Sequence, residues 1–223
     1  MSLRNDQSSL AGPELKLRSG LSIGYGRVLA VNADEISLAE GTHYLLARNG
    51  RGKTTLLKTL VGLVKPMGGE YSLRGACQFV GDELTFDREL SSRQVLKSLI
   101  AKDRREEAFA MADVLELDVK KPFGTLSFGN RKKVGLLVGE FNIDPEVANV
   151  VLFDEPFTGL DTPARECFQN HWAATSDGVA RLVSCHPDFD EMEMPSAVII
   201  SNERVFQGGD GKRSWGELKA LLN

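Results

Sequence analysis

The stretch ARNGRGKTT, residues 47–55, constrains this chain more than any other. It follows an apolar run, YLL, that reads as the end of a strand. After it, Leu56, Leu57, Leu60, Val61 and Val64 recur at helical spacing, and Pro66 closes the run. A strand, a glycine-rich turn and a helix in that order form a backbone cradle. Glycines let successive N–H groups turn inward around an anion, and the helix N-terminus adds partial positive charge. A chain with this segment is expected to be α/β, with the cradle at the edge of a sheet.

The spacing fits the phosphate-binding pattern G-x-x-x-x-G-K-[ST], with Ala47 at the first position, where a small side chain is tolerated. Asn49, Gly50, Arg51, Gly52, Lys53, Thr54 and Thr55 are then the candidate nucleotide-binding residues. Lys53 would reach the β- and γ-phosphates, and the Thr54 hydroxyl would ligate Mg²⁺. VVLFDEP, residues 150–156, supplies the second half of such a site. Its apolar residues bury a strand that delivers Asp154 to the sheet edge, to hold Mg²⁺ through water. Glu155 comes next, as general base for an attacking water.

With 223 residues, the chain suits one large domain with a real core. A net charge of −4 argues against general binding to nucleic acid or acidic lipid. No window approaches the roughly 18 apolar residues of a membrane-spanning helix, and MSLRNDQSSLAGPEL lacks the apolar centre of a secretory signal. Cys77, Cys167 and Cys185 are far apart and form no CxxC pair, which fits a reduced, cytosolic setting.

Residues 1–14 read as a loose lead and 15–223 as a single domain. From 15 to 46, short apolar runs broken by Gly and Asn-Ala-Asp read as several strands. Residues 82–125 change character. They are charged and helical, with Val95, Leu96, Leu99 and Ile100 on one face, then Phe109, Ala110, Ala112 and Val114, and they read as a small helical insert. Strand–helix alternation then resumes through VVLFDE, TPARECFQNHWAA, GVARLVSCH, SAVIIS, ERVFQG and RSWGELKALL. Continuous apolar strands alternating with helices predict a parallel sheet covered on both faces.

Three further segments narrow the reading. LSFGN (126–130) lies between the two motifs, TGLD (158–161) follows Glu155, and SCHPDFDE puts His186 at the end of the next strand. In that order, the set resembles the ATP-binding subunit of ABC transporters. The resemblance implies a P-loop NTPase core of RecA-like type, with an antiparallel β subdomain and a small helical insert. It implies Tyr25 as the aromatic that stacks on adenine, and LSFGN as the signature. Ser127, Phe128, Gly129 and Asn130 would then face ATP held by a second subunit. Asp161 would communicate across that dimer, and His186 would hydrogen-bond the γ-phosphate. QFVGDE aligns with the family's Q-loop with Asp82 at the glutamine position, as a Mg²⁺ ligand, leaving Gln78 as a strand residue.

The family pairs two such subunits head to tail, so that ATP closes the dimer and hydrolysis releases it. Phe128 in place of a glycine adds bulk at the seam, so the loop is expected to close less readily as a homodimer, which favours a heterodimer more than the motifs alone would. The implied partners are a transmembrane permease subunit and a second ATPase subunit, with no nucleic acid. The implied location is cytoplasmic, peripheral on the inner face of the membrane. The compact insert and DEPFTGLD look most like ATPases serving ABC-2 exporters, or the haem-export ATPase of cytochrome c maturation. The alternative is a single-domain ABC ATPase of an assembly complex, such as iron–sulfur cluster assembly.

Overall fold

The computed structural model describes residues 12–175, 178–185, 192–208 and 213–222. In chain order its elements are β1 (Glu14–Leu17), β2 (Ser22–Tyr25), β3 (Arg27–Asn32), β4 (Ile36–Leu38), β5 (Gly41–Ala47), α1 (Lys53–Leu60), β6 (Tyr71–Arg74) and β7 (Ala76–Val80). Next come α2 (Ser92–Leu99), α3 (Arg105–Val114), α4 (Phe128–Phe141), β8 (Asn149–Phe153), α5 (Thr162–Ala174) and β9 (Val179–Cys185). The last are β10 (Glu193–Met194), β11 (Ala197–Ser201), β12 (Arg204–Gln207), β13 (Arg213–Ser214) and α6 (Trp215–Lys219).

Eight strands form one sheet in the order β2-β3-β12-β11-β5-β9-β8-β7, and its β11-β5-β9-β8-β7 part is parallel. Side chains alternate along each central strand, so each feeds two cores. Tyr44, Leu46, Val151, Phe153 and Val183 face the α2–α5 side. Leu45, Ala47, Val150, Leu152 and Leu182 face α1 and the three-stranded antiparallel sheet β4-β1-β6. β8 and β9 are buried throughout, which fits their largely apolar sequences, with Asn149, Arg181 and Ser184 as buried polar exceptions. The α/β class with its antiparallel β layer and helical segment is the one expected from the sequence.

Three local expectations need correction. Helix α1 stops at Leu60 rather than running on to Pro66. Gly62 takes a left-handed conformation, its N–H bonds to Thr59 O, and the Leu63 N–H bonds to Lys58 O, which closes the helix. In the helical segment, Leu99 is exposed, because α2 ends there and Ile100 is extended. Ala110 and Val114 are also exposed, because the buried stripe is Ala108, Met111, Ala112 and Leu115.

A buried ionic cluster ties α4, α5 and β9 together. Glu140 of α4 accepts hydrogen bonds from Arg181 Nε (3.0 Å) and Trp172 Nε1 (2.8 Å), and its Oε1 lies 3.1 Å from His171 Nε2. The Arg181 guanidinium also donates to Thr175 O. Burial alone would raise the Glu140 carboxyl, but the bonds from His171 and Arg181 outweigh it and hold it below the ordinary carboxylate range. The stabilisation is therefore full above that range and is lost as pH falls below it. Arg181→Leu leaves an uncompensated buried carboxylate and is expected to cost about 3–5 kcal/mol. Adding Glu140→Leu removes that charge, so chemical denaturation should find the double variant more stable than the single one.

Candidate functional site

The C-terminal ends of β5, β8 and β9 lie side by side, with Leu46 opposite Cys185 and Phe153 opposite Val183. The loop after β5 and the loop after β8 therefore open at one edge of the sheet. Gly52 has φ of 107°, and a side chain there would meet Ile23 of β2 at 3.3 Å, so this bend takes glycine. It turns the chain into α1, with the free N–H groups of the first turn facing a cleft of about 700 Å³. Asn49, Gly50, Gly52, Lys53, Thr54 and Thr55 line the cleft on one side, and Glu155, Thr158 and Gly159 on the other.

Lys53 is only 5% exposed. Its ammonium reaches Ala47 O at 3.2 Å and Glu155 Oε1 at 3.3 Å. These contacts set a buried cation at the backbone cradle, paired with the Glu155 carboxylate. Thr54 Oγ1 donates to Asp154 Oδ2 at 2.7 Å, and Ser184 Oγ donates to Asp154 Oδ1 at 2.8 Å. The Thr54 hydroxyl and the Asp154 carboxylate thus present oxygen donors at one point, which is the donor chemistry Mg²⁺ takes alongside phosphate and water.

Glu155 adopts φ of 47°, uncommon for a residue with a side chain. Its N–H donates to Ser184 Oγ (2.8 Å), and its carbonyl accepts from Lys132 Nζ (2.9 Å) and Thr158 N–H (3.2 Å). Three contacts thus fix a backbone conformation that would cost of order 1–3 kcal/mol if unsupported.

The remaining candidate residues divide as follows. Tyr25 stands 58% exposed at the end of β2, outside the cleft lining. Arg51 is exposed in the loop, its N–H bonded to Arg48 O. Asp82 also lies outside the cleft, and its carboxylate pairs with Lys132 at 2.5 Å. That pair engages one of its two carboxylate oxygens. Gln78 lies in β7 and its side-chain amide donates to Asn142 O. Ser127 caps α4 by accepting from Asn130 N–H at 3.3 Å. Gly129 sits where a side chain would come within 2.7 Å of Gly159 O, and the Phe128 ring lies against Gly159 while remaining 57% exposed. Asp161 caps α5 by accepting from Ala164 N–H and pairs with Lys133 at 3.7 Å. His186 lies outside the described residues.

Two residues that the sequence reading passed over belong to the site. Ser184 is a lone hydroxyl in the apolar strand β9, two residues ahead of His186, and that polarity was the available signal. Lys132, in RKK, reads as part of a solvated face, and nothing in its sequence setting distinguishes it. Cys185 lies beside Ser184 at the end of β9, close enough to feel the charges of Lys53 and Glu155. Burial raises all three thiols, Cys77 to about 11, so they stay protonated near neutral pH.

A glycine cradle, a buried lysine and a paired Thr–Asp at the end of a parallel strand define a nucleoside-triphosphate site of P-loop type. The family model described as "ABC transporter" matches residues 31–158, and the chain belongs to that family and is an ATP-binding ATPase. It is 32% identical over 150 residues to the cytochrome c biogenesis ATP-binding export protein CcmA of Novosphingobium aromaticivorans, covering 64% of this chain and 73% of that protein. It is 31% identical over 188 residues to CcmA of Cupriavidus necator, covering 74% and 81%. The match to ABC transporter A family member 4 of Dictyostelium discoideum, 30% identical, covers 67% of this chain but spans only 10% of that longer protein. Among solved structures, an ATP-binding subunit of an ABC transporter superposes with a TM-score of 0.68 at 21% identity, covering 95% and 99% of the two chains. An ATP-bound bacterial Atm1-family exporter gives 0.72 at 15% identity, with this chain spanning 43% of it. These two likenesses concern the fold.

Ser184→Ala removes one hydroxyl that serves both Asp154 and the Glu155 N–H. Loss of a buried bonding partner is expected to cost about 1–3 kcal/mol of stability, with lower ATPase activity. Thermal denaturation and steady-state phosphate release measure both.

Proposed function

We propose that this chain hydrolyses MgATP to power transport by a separate membrane-spanning partner, through ATP-driven closure of a dimer of ATPase subunits. The observation that carries the proposal is the convergence of Lys53, Thr54 and Glu155 on one cleft, with Asp154 bonded to the Thr54 hydroxyl at its edge. Lys53 and the backbone N–H groups of residues 49–55 would hold the β- and γ-phosphates. Thr54 and Asp154 would hold Mg²⁺, which screens phosphate charge when bound. Glu155, freed from Lys53 by the incoming phosphate, would accept a proton from the attacking water, with His186 at the γ-phosphate. Tyr25 would stack on adenine.

In the dimer, Ser127, Phe128, Gly129 and Asn130 would face the ATP of the second subunit, with Asp161 linking the two sites. ATP stabilises the closed form by binding it better than the open one. We read residues 15–223 as a single ABC ATPase domain, with 1–14 as a lead and 82–125 as an inserted helical subdomain. Among the described residues no helix is long and apolar enough to cross a membrane. A permease subunit would therefore hold the chain at the inner, cytoplasmic face. The CcmA relatives, cytochrome c biogenesis export proteins by name, support export, and we read the chain as serving an exporter of the haem-exporter or ABC-2 kind.

The test has two parts. Glu155→Gln should bind ATP, fail to hydrolyse it and accumulate as ATP-bound dimers in sizing chromatography, whereas Lys53→Ala should lose ATP binding. A Glu155→Gln variant that turns over ATP normally would overturn the catalytic assignment. Affinity purification from solubilised membranes should recover a multi-span partner; recovery only in membrane-free complexes would favour an assembly ATPase instead.

A further inference from the structure

Lys132 occupies a position that the proposed chemistry does not use. It lies in the second turn of α4, just beyond Ser127, and is 11% exposed. Its single ammonium makes two contacts: with the Asp82 carboxylate at 2.5 Å, and with the Glu155 carbonyl at 2.9 Å. Asp82 is in the loop after β7, at the start of the helical segment. Glu155 is in the loop after β8, the strand beside β7. One side chain thus joins three segments that are distant in sequence.

The contact with Glu155 matters because of the backbone there. With φ of 47°, Glu155 holds its carboxylate in the cleft only while its peptide groups are pinned. Ser184 pins the N–H side. On the carbonyl side a lysine donates a charge-assisted bond, stronger than a neutral one, beside the weaker Thr158 contact at 3.2 Å. Asp82 fixes Lys132 in turn. Without that partner a flexible four-carbon stem would spread over several rotamers.

We propose that Lys132 is a positioning residue for ATP hydrolysis, orienting Glu155 through its carbonyl, and that Asp82 acts through Lys132. The proposal rests on the reading of Glu155 as the base. It makes the Asp82–Lys132 pair a lever: displacement of the loop after β7, or of α4, withdraws the ammonium and loosens Glu155. Asp82 then serves the reaction by its charge on Lys132 rather than by touching the nucleotide.

The experiment compares steady-state ATPase activity, fluorescent-nucleotide affinity and thermal stability in four variants of the full chain. Lys132→Met should lower kcat between about ten- and a hundredfold, the scale of a misplaced reacting group, with nucleotide affinity unchanged. Lys132→Arg keeps a cationic donor and should retain most of kcat. Asp82→Asn should fall between. The charge-reversed double variant, Asp82→Lys with Lys132→Asp, keeps an ion pair but has no donor at position 132. It should recover thermal stability while kcat stays low. Recovery of both would mean that the pair is only a structural brace, and would overturn the proposal. So would wild-type kcat in Lys132→Met. Loss of nucleotide affinity in step with kcat would also overturn it. If Glu155→Gln itself turns over ATP normally, the reading of Glu155 fails first and takes this proposal with it. If Glu155→Gln is inactive and Lys132→Met is fully active, only the positioning role fails.

Discussion

Asp154 is the joint on which the site depends. Its two carboxylate oxygens bind hydroxyls from different parts of the fold, Thr54 at the start of α1 and Ser184 in β9. Its backbone N–H bonds to Val80 O of β7. One residue thereby sets the glycine loop, the central strand and the neighbouring strands in mutual register. That arrangement is possible because β5, β9, β8 and β7 run parallel and end at the same edge. An antiparallel neighbour would have sent the next loop to the opposite end of the sheet.

Much of this was legible in the sequence, because local rules and tertiary demands agree. Residues 47–55 carry their own bend and helix start, and Gly52 adopts the left-handed conformation that the motif calls for. VVLF is buried on both faces as its composition requires, and TPARE begins α5 with Asp161 as cap and Pro in the first turn. What was not legible depends on long-range partners. The hydroxyl of Ser184 gains its meaning only from Asp154, thirty residues earlier in the chain. Lys132 looks like surface charge until the strands bring Asp82 and Glu155 to it. Glu140 and Arg181 sit within apolar runs, in GLLVGEF and ARLVS, and each is tolerable only because the other is there.

Helix α4 emerges as the mechanical link between these parts. Its N-terminal cap presents Ser127, and Lys132 then reaches Asp82 and Glu155. Lys133, one position on and rotated round the helix, donates to Leu115 O at the end of α3 and pairs with Asp161. One residue from the end of α4, Glu140 anchors the helix to β9 and α5 through the buried cluster. The far end is clamped by a desolvated network, while near the start Lys132 and Lys133 each pair with an exposed aspartate and donate to one backbone carbonyl. Desolvated charge pairs resist separation far more than solvated ones. Any motion of α4 is therefore expected to pivot about Glu140 and to be largest at Ser127.

That pivot gives Phe128 a physical meaning. Gly129 is confined by Gly159 O, and the Phe128 ring occupies the space a side chain at position 159 would need. The start of α4 and the loop carrying Asp161 are therefore packed on each other within one chain. They can swing only as a unit, or by parting the ring from Gly159. A glycine at position 128 would leave only the close approach of Gly129 to Gly159 O between the two. The bulk of Phe128 thus acts inside the chain, tying the start of α4 to the neighbouring loop, with the remainder of the ring exposed.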